Sequence, residues 1–271
     1  MTAAEPFSPA ARTQQRLWGS DPDAWARHAE PHNRPLFNAV LDAAARGVGT
    51  LAGRQLLDLG CGTGLLLRLA RERGATVHGV DVVAGMLERA AVAEPTAALH
   101  LADLQHLPFD SSAFGVVVAV NALQFADDPV AAVAEAARVL VPGGVLVASF
   151  FDAPELSQTT IVHNALSALS PPQRASEHAP YVLAGPGNYE AALAAAGMTE
   201  LDSGQVECLW SYSDVATAVS SLLSSAGGTR AVEDAGRARA AAAVADTVVP
   251  FVARDGSVTM LAVFRWVSAR R

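Results

Sequence analysis

Three aspartates stand at or beside the ends of three short apolar runs. They are Asp58 in Leu56-Leu57-Asp58-Leu59, Asp81 in His78-Gly79-Val80-Asp81, and Asp103 in Leu101-Ala102-Asp103-Leu104. The first run leads directly into Gly60-Cys61-Gly62-Thr63-Gly64. Glycines are required where the backbone takes positive φ or where a ligand must touch it. A helix starting after such a loop offers unpaired N–H groups and a positive dipole end. The spacing is G-x-G-x-G, and Leu65 stands where a dinucleotide fingerprint from Gly60 needs its third glycine. No Lys-Ser/Thr pair follows, so a triphosphate cradle is disfavoured. Asp58 would repel a pyrophosphate and attract an ammonium. Asp81 falls 21 residues after Gly60, where a carboxylate can accept from both ribose hydroxyls. Asp103, at the next run's end, can accept from an adenine amino group. Together the acids describe a ligand with ribose, adenine and a cationic group, and no phosphate.

These residues need strands that end in one crevice and helices that cover them. The runs Gln55–Leu59, Thr76–Val80, Ala97–Leu101, Gly115–Val120 and Val145–Phe150 read as strands. Gly115–Val120 is apolar on both faces, which suits a central parallel strand. Leu65–Arg73, Ala84–Ala93 and Pro129–Leu140 read as the intervening helices, the last with Asp128 at its N-cap and a Pro142-Gly143-Gly144 turn after it. Strand–helix alternation of this kind predicts an α/β fold, a doubly wound, mostly parallel Rossmann-like sheet.

The rest of the chain has a different texture. Residues 1–50 read as N-terminal helices: one opened by Asp21-Pro22 and stopped by Pro31, and one capped by Asn33 with Gly47 after its end. Residues 51–150 are the cofactor-binding core. The stretches 151–186 and 211–250 are excursions, rich in Pro in the first and in Ala and Ser in the second. The first carries a helix near Leu156–Leu169, and a helix at Asn188–Ala196 and a strand at Thr199–Leu209 separate the two. Val258–Val267 is apolar at nearly every position and fits a final strand. Residues 1–271 are expected to form a single domain with helical lid insertions.

Composition narrows the function classes. The chain has 271 residues, 51% hydrophobic and 17% charged, which excludes intrinsic disorder. Its net charge of −8 argues against broad nucleic-acid binding and against anionic membrane surfaces. Two cysteines, Cys61 and Cys208, make neither a disulfide framework nor a zinc site. Residues 1–10 do not read as a signal peptide, and no apolar run is long enough to span a bilayer. The expectation is a soluble cytoplasmic protein.

LLDLGCGTG, VDVVAGML, ADLQHLPF, FGVVVAVNALQFADDP and LVPGGVLVASF resemble the successive motifs of class I S-adenosylmethionine-dependent methyltransferases. The likeness is greatest to the small-molecule branch of the ubiquinone/menaquinone-biosynthesis type. It is dense over about residues 50–150 and loose elsewhere. By this resemblance Gly60, Gly62 and Gly64 form the loop for S-adenosyl-L-methionine, and Asp58 sits near its amino group. Asp81 holds the ribose hydroxyls, Val82 and Met86 pack on the adenosine, and Asp103 and Leu104 meet the adenine edge. Asn121 lies beside the sulfonium. Trp25 and Arg34 are candidates to close over the methionine tail, with Arg34 pairing its carboxylate.

The catalytic side is thinner. His28 lies three residues after Trp25, on the same face of a short helix, so the two either line the active site or pack on the domain. His163 and His178 fall in the first excursion, where a lid histidine is a reasonable general base; His28 and His178 are the candidates carried forward. His78 and His100 read as structural, His106 as solvated, and Asp127-Asp128 as helix capping rather than a metal pair. The resemblance implies transfer to O, N or C of a small, largely apolar organic acceptor. Asn121-Ala122-Leu123-Gln124 lacks the Pro-Pro-aromatic signature of base and glutamine methylases, and Asn121 replaces the metal-binding Asp of catechol-type enzymes. No metal is expected, and the expected partners are the acceptor and a second copy in a homodimer. Rival readings are a cofactor-binding scaffold that transfers nothing, another sulfonium-assisted reaction such as a cyclisation, and a nicotinamide dehydrogenase, which Leu65 opposes.

Overall fold

The strand residues divide their side chains between two cores. Leu57 and Leu59, Val117 and Ala119, and Leu146, Ala148 and Phe150 face one cluster of buried apolar side chains. Their alternates, Leu56, Val116, Val118, Val145 and Val147, face a second cluster. A period-two split with both halves buried is what a sheet covered on both faces demands. The computed structural model, which describes residues 7–171, 183, 185 and 187–271, has this arrangement.

The elements run α1 (Pro9–Trp18), α2 (Pro22–Ala24), α3 (Arg34–Val48), β1 (Gln55–Leu59), α4 (Leu65–Glu72), β2 (Thr76–Asp81), α5 (Ala84–Ala93), β3 (Ala98–Leu101), β4 (Phe114–Val120), α6 (Pro129–Val139) and β5 (Leu140–Phe151). There follow α7 (Thr160–Ser167), α8 (Asn188–Ala195), β6 (Thr199–Tyr212), α9 (Val215–Leu223), α10 (Ala226–Ala235), α11 (Arg237–Val248) and β7 (Val258–Arg270). The sheet order is β3-β2-β1-β4-β5-β7-β6. β1 to β5 pair in parallel, and β7 is antiparallel to both β5 and β6. The order reverses between β1 and β4, which opens a crevice at their carboxyl ends. Asp58 and Asp81 lie on neighbouring strands at that end, and Asp103 follows β3.

β6 and β7 are 14 and 13 residues long and pair from Thr199↔Arg270 out to Tyr212↔Val258. Their far ends carry α9, α10 and α11, which with α7 bury a third apolar cluster around Val162, Leu166, Leu222, Val244 and Met260. The described helices of the two excursions therefore share one apolar cluster, as a single helical layer. It is tied to the N-terminal segment by Ser20 Oγ against Thr229 Oγ1 at 2.6 Å and by the Arg16–Glu233 ion pair. The Ser221 hydroxyl donates to the His28 carbonyl at 2.9 Å, adding a third tie.

Four local expectations are corrected. Pro31 stops nothing: after α2 the chain passes through a π turn, Trp25–Ala29, and a 3₁₀ turn, Glu30–Asn33, straight into α3. Proline lacks only the N–H that an early helical position leaves unused. Asn33 makes no capping hydrogen bond to α3. Gly47 lies inside α3, whose C-cap is Gly49 at φ +84°. Pro142-Gly143-Gly144 lies within β5, as an irregularity between the pairs Phe114↔Leu140 and Val116↔Val145.

Candidate active site

β1 ends in the glycine loop, and Gly60, Gly62 and Gly64 take φ of +72°, +53° and +90°. At Gly64 an added Cβ would lie 2.8 Å from Ala90 Cα, so α4 and α5 approach too closely for a side chain. At Gly62 it would meet Glu30 Oε1 at 3.4 Å and Trp25 Nε1 at 3.8 Å. The Gly62 and Val83 N–H groups donate to the two oxygens of Asp81, each at 2.9 Å. The carboxylate is thereby fixed, and each oxygen keeps a lone pair for a hydroxyl. Burial raises the Asp81 pKa against these backbone bonds.

Asp58 is almost wholly buried and makes no hydrogen bond among the described residues. Burial, then the charges of Glu30 and Asp81, hold its pKa well above the ordinary carboxylate value. Glu30 is the residue that the sequence reading missed. Its carboxylate accepts from Thr63 N–H at 3.2 Å and from the Thr63 hydroxyl at 2.7 Å. Burial pushes its pKa up to about 7 despite those bonds. The π turn explains its placement. The Glu30 N–H bonds to the Trp25 carbonyl five residues back, so Glu30 lies beneath Trp25 and both reach Gly62. An ordinary α turn would align Trp25 with Ala29 instead. No local signal marks this acid; the one clue is a helix-compatible stretch just before a proline.

After β3 Asp103 is buried, and its oxygens accept from Ser8 N–H at 3.1 Å and Gln105 N–H at 3.0 Å. Leu104, next to it in sequence, and Met86 of α5 are buried, and Val82 is half-buried after Asp81. Ala10 N–H donates to Asp127 Oδ2, so two acids hold the N-terminus of α1. Asp128 caps α6 through Val130 and Ala131 N–H, which is the capping role expected of it. Asn121, directly after β4, has φ +51°, and its side-chain Oδ1 is buried without a partner. Gln124 Oε1 is likewise orphaned.

The other candidates are scattered. Trp25 stands over the glycine loop, packed edge-on against Trp18 at 4.8 Å. His28 is half-buried, and the π turn breaks the three-residue alignment with Trp25. Arg34 is exposed in the first turn of α3, and His178 lies outside the described residues. His163 packs on Phe151 at 5.2 Å, and burial lowers its pKa. His78 pairs with Gln55 at 2.8 Å and packs with His100 among Phe109 and Phe114, a structural role. Among the described residues no group of three or more His, Cys, Asp or Glu is arranged to hold a metal ion, and no helix is long and apolar enough to cross a membrane.

The donor set fits a phosphate-free adenosine bearing a cation. Among the described residues Asp58 is buried beside like charges with no hydrogen bond, Glu30 is buried with the Arg68 charge acting on it, Asp81 keeps free lone pairs, and Asn121 and Gln124 carry unpaired oxygens. Residues 57–148 match a family model described as a methyltransferase domain. The chain is 39% identical over 109 residues to a malonyl-acyl-carrier-protein O-methyltransferase of Serratia marcescens, covering 39% of this chain and 42% of the relative. It is 37% identical over 106 residues to a ubiquinone biosynthesis O-methyltransferase of Psychrobacter arcticus, covering 36% and 41%. It thus spans about two fifths of these curated relatives. Among solved structures it is similar in fold to geranyl diphosphate C-methyltransferase of Streptomyces coelicolor, with TM-score 0.54, 14% identity and coverage of 98% and 100%. It is also similar to the 4+2 cyclase SpnF, with TM-score 0.53, 23% identity and coverage of 87% and 80%.

Proposed function

From a chain whose residues 57–148 match a methyltransferase-domain model on a Rossmann-like sheet, we propose an enzyme that moves a methyl group from S-adenosyl-L-methionine to a small, largely apolar organic acceptor, without a metal. The observation that carries this is Asp58: a buried carboxylate without a hydrogen bond, beside Glu30 and Asp81, is a cluster that needs a cation. Asp58 and Glu30 hold the amino group of the methionine tail. Asp81 holds the ribose hydroxyls, Asp103 and Leu104 meet the adenine, and Val82 and Met86 flank it. Trp25 covers the glycine loop, and Asn121 faces the reacting end. When bound, the cofactor supplies a methyl group already activated on a sulfonium. The chain's own work is to align the acceptor and exclude water. The stretches 151–186 and 211–250 serve as the acceptor's cover, supported by the shared apolar cluster of α7, α9 and α11.

A freely diffusing cytoplasmic substrate, rather than nucleic acid, is supported by the net charge of −8. The homodimer has its support in β6, a sheet edge with Leu201 and Leu209 exposed. The function is tested with methyl-labelled cofactor and a panel of uncharged phenols, enols and amines, read by mass spectrometry. A labelled product that vanishes in Asp81→Ala supports it. Cofactor binding with no labelled product from any acceptor class or cell extract contradicts it.

A further inference from the structure

A second concavity lies between the N-terminal segment and the lid. Trp25, His32 and Asn33 form one wall, and His163 of α7 with Trp210 and Tyr212 of β6 form another. About 40 Å³ of it admits water-sized groups, and the space between its walls, open mouth included, is about 370 Å³. Among the described residues no Asp, Glu, Lys or Arg lines it. Burial lowers the pKa of both imidazoles, for His32 against the pull of the Ser211 and Ala29 carbonyls and with the help of His28. Burial raises the Tyr212 hydroxyl to about 12. The described walls are therefore uncharged near neutral pH.

Three polar atoms of the lining are buried without a partner: His32 Nδ1, Asn33 Oδ1 and Trp210 Nε1. Buried polar atoms are ordinarily paired, so three around one cavity ask for a ligand. His32 Nε2 lies 2.8 Å from the Ser211 carbonyl, which only accepts, so Nε2 is protonated. The unpaired set includes one donor, the indole N–H, and one acceptor, Asn33 Oδ1. The rings present flat walls: His32 stacks near Trp210 at 6.4 Å and meets Tyr212 edge-on at 4.7 Å. Trp25 borders both this cavity and Gly62 of the cofactor loop.

We propose that this cavity is the acceptor site and takes a flat, uncharged molecule of one or two rings bearing a hydroxyl or ring N–H. As an acceptor site it rests on the methyl-transfer reading; the ligand class rests on the cavity alone. Among the described lining residues a cation would find no carboxylate, and an anion no basic group. A bare hydrocarbon would leave the three polar atoms unpaired, whereas a hydroxyl both gives and accepts a hydrogen bond.

Equilibrium dialysis with 2-naphthol, naphthalene and 2-naphthoate tests the assignment, with S-adenosylhomocysteine titrated into the same preparations. The expected result is one saturable site, with 2-naphthol at least tenfold tighter than the other two. Trp210→Phe and His32→Phe should each cut the preference over naphthalene by threefold or more while S-adenosylhomocysteine affinity stays within twofold, which also reports an intact fold. No saturable binding, no preference for the hydroxyl, or a preference kept by both variants overturns it. If the naphthol pattern holds and S-adenosylhomocysteine does not bind, the ligand class stands and the methyl-transfer reading falls.

Discussion

Asp58 and Glu30 are costly to bury together. A carboxylate out of water loses solvation, and a second one nearby adds repulsion. The Glu30 pKa rises from 4.5 to about 7, so its folded form holds a proton that its unfolded form has released. Stability from that difference is fully present below about pH 4.5 and is lost as pH rises through 7. The shift corresponds to roughly 3 kcal/mol at about 1.4 kcal/mol for each pH unit. Glu30→Gln should therefore match the wild type at pH 4 and exceed it by about 2–3 kcal/mol at pH 8 without cofactor, measured by urea unfolding. A cation beside Glu30 lowers its pKa, so wild-type affinity for S-adenosylhomocysteine should rise from pH 6 to 8, and Glu30→Gln should flatten that rise. Equal slopes in the two proteins would refute the pairing. Asp81→Ala should weaken S-adenosylhomocysteine by about 10- to 100-fold, the worth of one or two hydrogen bonds to a charged acceptor. The three aspartates were legible in the sequence because each stands in a short run whose loop chemistry is local. Glu30 was not, because its reach to Thr63 depends on the π turn and on how the N-terminal segment docks.

Among the elements, the strand–loop–helix unit of β1 and α4 is the one that cannot be loosened. Gly64 combines φ +90° with a contact that a methyl group would bring to 2.8 Å of the α5 backbone. Gly64→Ala should lower stability by about 2–4 kcal/mol through strain and overpacking, read as a fall of at least about 5 °C in Tm. A Tm within 1 °C of wild type would show that α4 and α5 part easily. The central strands were readable because both faces are apolar and Gly or Pro bounds each run. The direction of β7 and the length of β6 were not, since pairing partners set both and local pattern sets neither. The start of β5 was hidden for a related reason: Pro142-Gly143-Gly144 has turn composition, yet the ladder with β4 carries the strand through it. At the N-terminus, propensity favoured separate helices, and packing over the glycine loop joined them through π and 3₁₀ turns.

At the scale of the molecule, the sheet is the floor, and the N-terminal segment and helices α9 and α10 are tied together as a roof. α1 is held by Asp103 and Asp127 at one end and by Thr229 and Glu233 of α10 near the other. A ligand under this roof should slow amide exchange in α1, α3, α9 and α10 while leaving β4 and β5 unchanged. Protection confined to the sheet would place the ligand elsewhere. On the proposed reading, buried carboxylates select an adenosine carrying a cationic tail and no phosphate. Its most direct test compares S-adenosylhomocysteine with 5′-methylthioadenosine, which lacks the amino-acid tail, by calorimetry in the wild type and in Asp58→Asn/Glu30→Gln. The wild type should bind S-adenosylhomocysteine at least 30-fold more tightly, about 2 kcal/mol, and the double variant should lose most of that gap. Equal affinities in the wild type, or displacement of both by a pyrophosphate dinucleotide, would contradict that reading.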